Sequence, residues 1–208
     1  KIQLQNISNF SFHNNNDFII YNANEKQKIH YPKNASNITI SPNNKFLAYT
    51  IDNNLYYANR EDPISHETTL FSITKHSDAN IIAGQSIHRN EFGIKKGIFW
   101  SNKSDKIAFY EKDETDVHDY PILDISQTPG ELKSIKYPMA GQKSEYAKVG
   151  IYDFKGQKLI YLNTNHAKDD YLTNLTWGPN DEFVYIAELN RDQNHLKWAK
   201  YNIQTGDR

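Results

Sequence analysis

The chain has 208 residues, of which 38% are hydrophobic and 24% are charged, so it is long enough for one large all-β unit or two small domains. A formal net charge of −1 and a pI of about 6.8 give no basic excess with which to bind nucleic acid or anionic lipid. The absence of cysteine excludes disulfides, thiolate zinc sites and a cysteine nucleophile.

Both ends of the sequence are abrupt. Lys1–Gln3 show neither the basic nor the apolar region of an export signal, and no segment approaches the roughly 20 apolar residues of a transmembrane helix. Tyr201–Arg208 indicate a strand that runs into a turn. We therefore expect this chain to be a part of a longer protein, with any signal removed or located elsewhere.

Four segments repeat one pattern, in which an apolar or aromatic anchor precedes a polar turn of about five residues and an apolar strand. These segments are Phe12–Tyr21, Ile40–Tyr49, Trp100–Phe109 and Trp177–Ile186. Each continues into a further apolar run, such as Leu55–Ala58 or Leu196–Tyr201. The repeat predicts the antiparallel meander of a β-propeller blade.

The predicted fold is therefore all-β and forms part of a β-propeller, with about four blades at approximately 1–34, 35–80, 81–165 and 166–208. The four anchors stand 28, 60 and 77 residues apart, which is too uneven for an array with a period of roughly 40 to 45 residues. Insertions must therefore lengthen some blades. A β-sandwich with coincidentally similar hairpins is the alternative.

The segment Gly84–Ser101 places one acid, Glu91, in a polar run directly before the aromatic strand Ile98–Trp100. We expect a loop that leads straight into a sheet, and a loop held in this way can aim a charge at a ligand. A surface salt bridge to Arg89 or Lys95, worth about 0–1 kcal/mol, is the alternative role for Glu91. The residues alone favour this structural role.

Other motifs offer little chemistry within this chain. It has no G-x-S-x-G elbow and no phosphate-binding glycine loop, and its eight histidines form no H-E-x-x-H pair. The acidic run Glu111–Asp119 lacks the glycine and the terminal glutamate of an EF-hand, so it is interpreted as a charged hairpin tip or inter-strand loop. We predict no catalytic residue, no metal and no cofactor in this chain.

From about Ile81 to the end, the sequence resembles the N-terminal propeller of the dipeptidyl peptidase IV family, serine exopeptidases of the prolyl oligopeptidase group. The matching segments occur along the chain in the same order as in the family. The N-terminal third fits more loosely, through Ile40–Pro42 and Leu55–Tyr57. The matching segments are Gly84–Ser101 (GQSIHRNEFGIKKGIFWS), Lys136–Gly141, Val149–Tyr152, Tyr171–Asn180 and Ala187–Asn194.

This resemblance implies an eight-bladed propeller that caps a C-terminal α/β-hydrolase domain absent from this chain. The Ser/Asp/His triad would lie in that domain, so this chain is expected to be inactive alone. The resemblance assigns Glu91 to the substrate's amino terminus, with Phe92 and Arg89 as further candidates for substrate contact. The parent would be an exported bacterial enzyme, periplasmic, secreted or at the cell surface, that removes N-terminal di- or tripeptides after proline.

The number of glutamates in the segment Gly84–Ser101 bears on whether dipeptides or tripeptides are released. Dipeptidyl peptidase IV proper has two adjacent glutamates, whereas this sequence has Asn90–Glu91 and is more similar to bacterial prolyl tripeptidyl aminopeptidases. Release of dipeptides and release of tripeptides therefore both remain open.

The expected partners are peptides with a free amino terminus, the protein's own hydrolase domain and, in the full-length form, a second copy. Neither nucleic acid nor a membrane span is expected. Two rival classes remain. One is a non-enzymatic propeller that binds a protein partner, and the other is a sialidase-like propeller, whose Ser-x-Asp-x-Gly-x-Thr-Trp box is missing from all four turns.

Overall fold

The computed structural model describes the backbone of residues 3–6, 9–14, 17–22, 25–59 and 71–208, and the side chains of residues 31–59 and 71–208. In these ranges the regular structure consists of 18 β-strands and one short 3₁₀ segment. The strands form four antiparallel sheets, which follow one another along the chain, and one separate hairpin. The prediction of an all-β fold is confirmed. No helix in the described ranges has the length and hydropathy that a membrane crossing requires.

The first two sheets are simple meanders in which each strand pairs with the next. The first sheet contains β1 (Gln3–Asn6), β2 (Asn9–Asn14), β3 (Asp17–Asn22) and β4 (Glu25–His30). The second sheet contains β5 (Ser36–Ile40), β6 (Phe46–Ile51), β7 (Asn54–Asn59) and β8 (Phe71–Ser72).

The third sheet carries two interruptions. It contains β9 (Ile81–Ala83), β10 (Ile98–Trp100), β11 (Lys106–Asp113), β14 (Tyr146–Asp153) and β15 (Lys158–Tyr161). Both β9 and β10 pair with the same edge of β11, so the chain leaves this edge after β9 and returns to it at β10. A hairpin of β12 (Asp119–Asp124) and β13 (Glu131–Lys136) is inserted between β11 and β14, which accounts for the predicted lengthening.

The fourth sheet contains β16 (Tyr171–Trp177), β17 (Phe183–Leu189) and β18 (Leu196–Asn202), in that order. Strands β3, β6, β11 and β17 contain the four runs that the repeat predicts as strands after a polar turn. This agreement arises because short apolar runs that are rich in aromatic and β-branched residues and bounded by polar turns are a local signal of a strand.

The third sheet buries both of its faces. On β11, Ile107 and Phe109 pack toward the second sheet, whereas Ala108 and Tyr110 pack toward the fourth. Successive side chains of a strand point to opposite faces, so a strand between two sheets needs a continuous apolar run. All four of these residues are at most 1% exposed. The third sheet is thus packed between its two neighbours, and the segment that connects β9 to β10 begins and ends at the edge of this packed sheet.

The polar turns of successive sheets are joined by hydrogen bonds. Asp181, in the turn before β17, is 3% exposed and accepts hydrogen bonds from the backbone N–H groups of Asn102 (2.9 Å) and Lys103 (2.7 Å) in the turn before β11. The Asn102 side-chain amide also donates to Asp181, at 2.7 Å. In the same way, the Asn43 N–H donates to Ser104 Oγ at 3.0 Å. The turns of the third and fourth sheets are therefore each held against the turn of the preceding sheet.

We predict that Asp181→Ala lowers the free energy of unfolding by about 2–4 kcal/mol, because three donors lose their carboxylate and alanine is strained at the positive φ of 58°. Urea denaturation would measure this loss as a lower midpoint with an unchanged slope. Asp181→Asn is the control, since asparagine keeps one acceptor oxygen and tolerates positive φ. A change within about 0.5 kcal/mol for Asp181→Ala would contradict the prediction.

Candidate functional site

The predicted site lies in the segment between β9 and β10, which we call the Glu91 loop (Gly84–Gly97). Its two ends close on one residue, because the Gly84 N–H donates to the Tyr110 carbonyl (2.8 Å) and the Tyr110 N–H donates to the Gly97 carbonyl (2.9 Å). A Cβ at Gly97 would lie 2.0 Å from the Gln85 carbonyl oxygen, so only glycine allows this closure. The loop thus projects from a buried strand through a narrow neck.

The backbone of the loop is unusual around Glu91. A short 3₁₀ segment spans His88–Gly93, and inside it His88, Arg89, Asn90 and Phe92 have φ between 52° and 63°. Glu91 itself is extended, with φ −61° and ψ 164°. Left-handed conformations of residues other than glycine cost of order 1 kcal/mol each and persist only where the surroundings enforce them. Contacts beneath the loop must therefore hold it.

His88 provides the first of these contacts. His88 is 4% exposed, and its backbone N–H donates to Glu145 Oε1 at 2.5 Å. Its ring Nε2 accepts a hydrogen bond from the backbone N–H of Leu172 in β16, at 2.9 Å. A ring nitrogen that accepts a hydrogen bond is unprotonated, so the proton of the neutral ring lies on Nδ1. Burial lowers the pKa of His88 to about 3, in agreement with a neutral ring. His88 therefore joins the loop to the fourth sheet.

Arg89 provides the second contact, in a cluster of buried charges. Its Nη2 lies 3.0 Å from Glu114 Oε1 and 3.8 Å from Glu145 Oε2. Lys112 Nζ donates to Glu114 Oε1 at 2.9 Å. The contact between Arg89 Nη2 and Glu114 has the distance of an ion pair but not the angle of a hydrogen bond. The two groups are therefore held together mainly by the attraction between opposite charges. Burial raises the pKa of Glu145, and the neighbouring cations oppose this shift.

Glu91 and Phe92 lie on the outer side of the loop. In the described part of the chain, no cation lies within ion-pair distance of Glu91, which is exposed, and the alternative pairing with Arg89 or Lys95 is not found. The Phe92 ring meets the buried Tyr171 ring edge-on, with 5.0 Å between centroids, and remains 39% exposed. Phe92 thus anchors the loop on one side while it presents apolar surface on the other.

A cavity of about 270 Å³ lies beside this loop, between β10 and β11 of the third sheet and β16 of the fourth. Its walls are mostly apolar, and Thr173 contributes a buried hydroxyl without a hydrogen-bond partner among the described residues. The residues that line it are Phe92, Gly93, Ile94, Lys95, Lys96, Phe99, Tyr110, Thr173, Asn174 and Leu175. An exposed carboxylate and an apolar recess therefore lie on the same loop.

The sequence singled out Glu91, Phe92 and Arg89, and the structure gives them two different surroundings. Glu91 and Phe92 face outward, whereas the Arg89 guanidinium faces buried carboxylates. Sequence reasoning missed the roles of Glu114 and Glu145, which approach Arg89 from both ends of the inserted hairpin. The acidic run Glu111–Asp119 was interpreted as a charged hairpin tip or inter-strand loop, but its first three residues belong to β11, which extends to Asp113.

Comparison with known proteins identifies the family. The profile of the dipeptidyl peptidase IV (DPP IV) N-terminal region matches residues 2–208, and the chain belongs to this family. A crystal structure of a Bacteroides ovatus protein described as a dipeptidyl aminopeptidase IV is 40% identical, with a TM-score of 0.81, and the match covers 96% of this chain and 27% of that one. The prediction of the family and that of an all-β fold within a propeller are both confirmed.

Two curated relatives are also named as dipeptidyl peptidases or aminopeptidases. Dipeptidyl peptidase 4 of Felis catus is 28% identical over 211 residues, covering 90% of this chain and 26% of the relative. Dipeptidyl aminopeptidase B of Saccharomyces cerevisiae is 28% identical over 166 residues, covering 75% and 20%. The chain therefore spans about a fifth to a quarter of the length of these relatives.

We predict that the buried, neutral His88 makes stability depend on pH. Its pKa of about 3 lies below the ordinary 6.5, so the unfolded chain binds a proton that the folded chain does not, and stability falls as the pH drops below about 6.5. Between pH 7.5 and 5.0 this loss amounts to about 2 kcal/mol.

The measurement compares urea denaturation of the wild type and His88→Gln at the two pH values. The raised pKa of Glu145 acts in the opposite sense in both proteins, so the difference between them isolates His88. We expect the variant to lose about 2 kcal/mol less than the wild type on acidification. Equal losses would show that His88 is not buried as a neutral ring.

Proposed function

We propose that this chain is the N-terminal propeller of an exported, periplasmic or cell-surface serine exopeptidase of bacteria that removes N-terminal di- or tripeptides after proline. In this proposal the propeller gates access to a separate hydrolase domain, and Glu91 binds the substrate's free amino terminus. The family membership and the names of the relatives support a peptidase parent. The proposed catalytic triad belongs to the hydrolase domain.

One observation carries the assignment of Glu91. Its exposed carboxylate has no cation within ion-pair distance in the described residues, yet it lies on a loop whose neighbouring residues are held by buried contacts. A carboxylate that has no internal partner and lies on a loop held in place is suited to bind the cationic group of a ligand. The apolar recess beside the loop adds surface against which a bound peptide can exclude water.

The chemistry explains why such a residue selects exopeptidase substrates. An ammonium bound to a carboxylate in a site shielded from water makes a charge-assisted hydrogen bond, and removing one partner of such a pair costs about 2–5 kcal/mol. This corresponds to roughly 30-fold to several thousand-fold in binding. An internal peptide segment has no ammonium and would leave the desolvated carboxylate unpaired. The distance from Glu91 to the nucleophile would then determine how many residues are removed.

We predict that Glu91→Gln in the full-length enzyme lowers kcat/KM for substrates with a free amino terminus by about 30-fold or more, because the amide carries no charge. Steady-state kinetics with an X-Pro and an X-X-Pro chromogenic substrate would measure this loss. Glu182→Gln, at an exposed turn position before β17, is the matched control. Equal wild-type activity toward the free amine and its N-acetylated form would contradict the anchoring role.

We also predict that the 208-residue chain alone shows no turnover of either chromogenic substrate, because the proposed triad belongs to the hydrolase domain. The assay needs a folded sample, which circular dichroism would establish. Robust hydrolysis by the purified chain would overturn the division of labour between the two domains.

The inserted hairpin supports a second proposal, contact between two copies in the full-length form. Its exposed apolar side chains include Leu123 (63% exposed), Ile125 (80%) and Leu132 (75%). Leu123 and Leu132 are directly opposite each other across the two strands, so they form one continuous apolar surface. A cluster of this kind is typical of a protein-binding surface, and it also keeps a non-enzymatic binding module as the alternative function.

We predict that Leu123→Glu with Leu132→Glu converts the full-length protein from a dimer to a monomer, because two charges would have to be desolvated at the interface. Light scattering after gel filtration would measure the mass. Ser134→Glu, which adds a charge to the same hairpin without removing apolar surface, is the control. A monomeric wild type, or a dimer that survives the double substitution, would contradict the proposal.

A further inference from the structure

The inserted hairpin and the Glu91 loop meet at one point. Glu114 directly follows β11 and Glu145 directly precedes β14, and the adjacent residues Asp113 and Tyr146 pair across these strands. The two glutamates are therefore neighbours at the base of the insertion, and they are 4% and 2% exposed. Arg89 of the Glu91 loop reaches both of them.

The charges at this point balance only when Arg89 is present. The carboxylates of Glu114 and Glu145 face the cations of Lys112 and Arg89, while the buried ring of His88 is neutral. Without Arg89, two buried carboxylates would share one ammonium group. A buried charge that loses its partner is strongly unfavourable, so the carboxylates would be expected to draw in water or a proton and to release the loop.

Arg89 is close to Glu91 in the sequence, but the two side chains have different surroundings. Only Asn90 separates the two residues, and Arg89 faces the buried cluster whereas Glu91 is exposed. The loop follows a left-handed path from His88 to Asn90, which the chain would not keep without tethers. His88 supplies one tether through Glu145 and Leu172, and Arg89 supplies the other.

We propose that Arg89 is a positioning residue, whose ion pairs with Glu114 and Glu145 hold the Glu91 carboxylate in the geometry that receives the substrate's ammonium group. This inference rests on the proposed function. It assigns to Arg89 a role through Glu91 rather than a contact with the peptide, because the guanidinium is engaged on the inner side of the loop. Its carbon Cζ lies 5.9 Å from the centre of the Tyr137 ring, on the segment that returns from the hairpin.

The experiment is a double-mutant cycle in the full-length enzyme with Arg89→Met and Glu91→Gln. Two substrates are compared, an X-Pro chromogenic peptide and its analogue that lacks the terminal amino group. Lys143→Met is the matched control, since Lys143 is an exposed cation of the same insertion whose only ion pair among the described residues is with Asp116, at 3.5 Å. Arg89→Lys tests whether a cation alone restores the effect.

We expect Arg89→Met to lower kcat/KM for the free amine by about 10- to 100-fold, since small misplacements of a binding group can have effects of this size. The analogue without the amino group should change by less than about twofold, and Arg89→Met should have no further effect in the Glu91→Gln background. Arg89→Lys should recover part of the loss, and Lys143→Met should match the wild type.

Equal losses for both substrates, or a loss that persists in the Glu91→Gln background, would overturn the positioning role. The latter result would indicate that Arg89 contacts the peptide directly. If Glu91→Gln itself had no effect, the proposed function would fail, whereas a normal effect of Glu91→Gln with an inert Arg89→Met would overturn the positioning role alone. If Arg89→Met does not fold, Arg89→Lys carries the test, because its single ammonium group should still give a smaller loss that is confined to the free amine and absent in the Glu91→Gln background.

Discussion

The candidate site depends on a buried balance of charge beneath the Glu91 loop. Glu114 and Glu145 lie almost fully out of water, and both lie close to cations at the edge of the third sheet. Ion pairs of this kind contribute little net stability compared with apolar packing, but removing one partner leaves a buried charge uncompensated. In the positioning role that we propose, the cluster therefore determines where the loop lies rather than how strongly the sheet is held together.

In the proposed function, the fixed position of the Glu91 loop makes Glu91 a better binding group. A binding carboxylate is more effective when its position is set before the ligand arrives, because less conformational entropy is then lost on binding. The neck at Tyr110 closes the base of the loop, and His88 joins it to the neighbouring sheet. The strained backbone from His88 to Phe92 is the local expression of these restraints, since each left-handed residue persists only because the contacts around it enforce it.

The sequence predicted much of the fold because the relevant signals are local. The runs that became β6 and β17 follow polar turns and consist of apolar and aromatic residues, which are preferred in strands. The run in β11 was likewise predicted as a strand, but its burial on both faces was not. The hairpin of β12 and β13 was not predicted, since its exposed strands lack the anchor and turn that mark the other units.

The candidate site was predicted only in part, and the reason is again physical. Glu91 was identified from the resemblance of its segment, but the groups that hold it come together only in the folded chain. Glu145 is separated from Arg89 by a whole hairpin, and the partner of the His88 ring is a backbone N–H of another sheet. Such contacts leave no pattern in neighbouring residues. Glu114 was part of an acidic run whose charge suggested solvent exposure.

A crystal structure of the full-length enzyme with a bound peptide would show whether Glu91 receives the ammonium group of the substrate. The ligand would be a non-hydrolysable peptide with a free amino terminus and a proline at the cleavage position. We expect the terminal nitrogen within about 3.2 Å of a Glu91 carboxylate oxygen, with the Glu91 loop unchanged. An ammonium group bound by other residues, with Glu91 still facing solvent, would show that Glu91 is not the anchor.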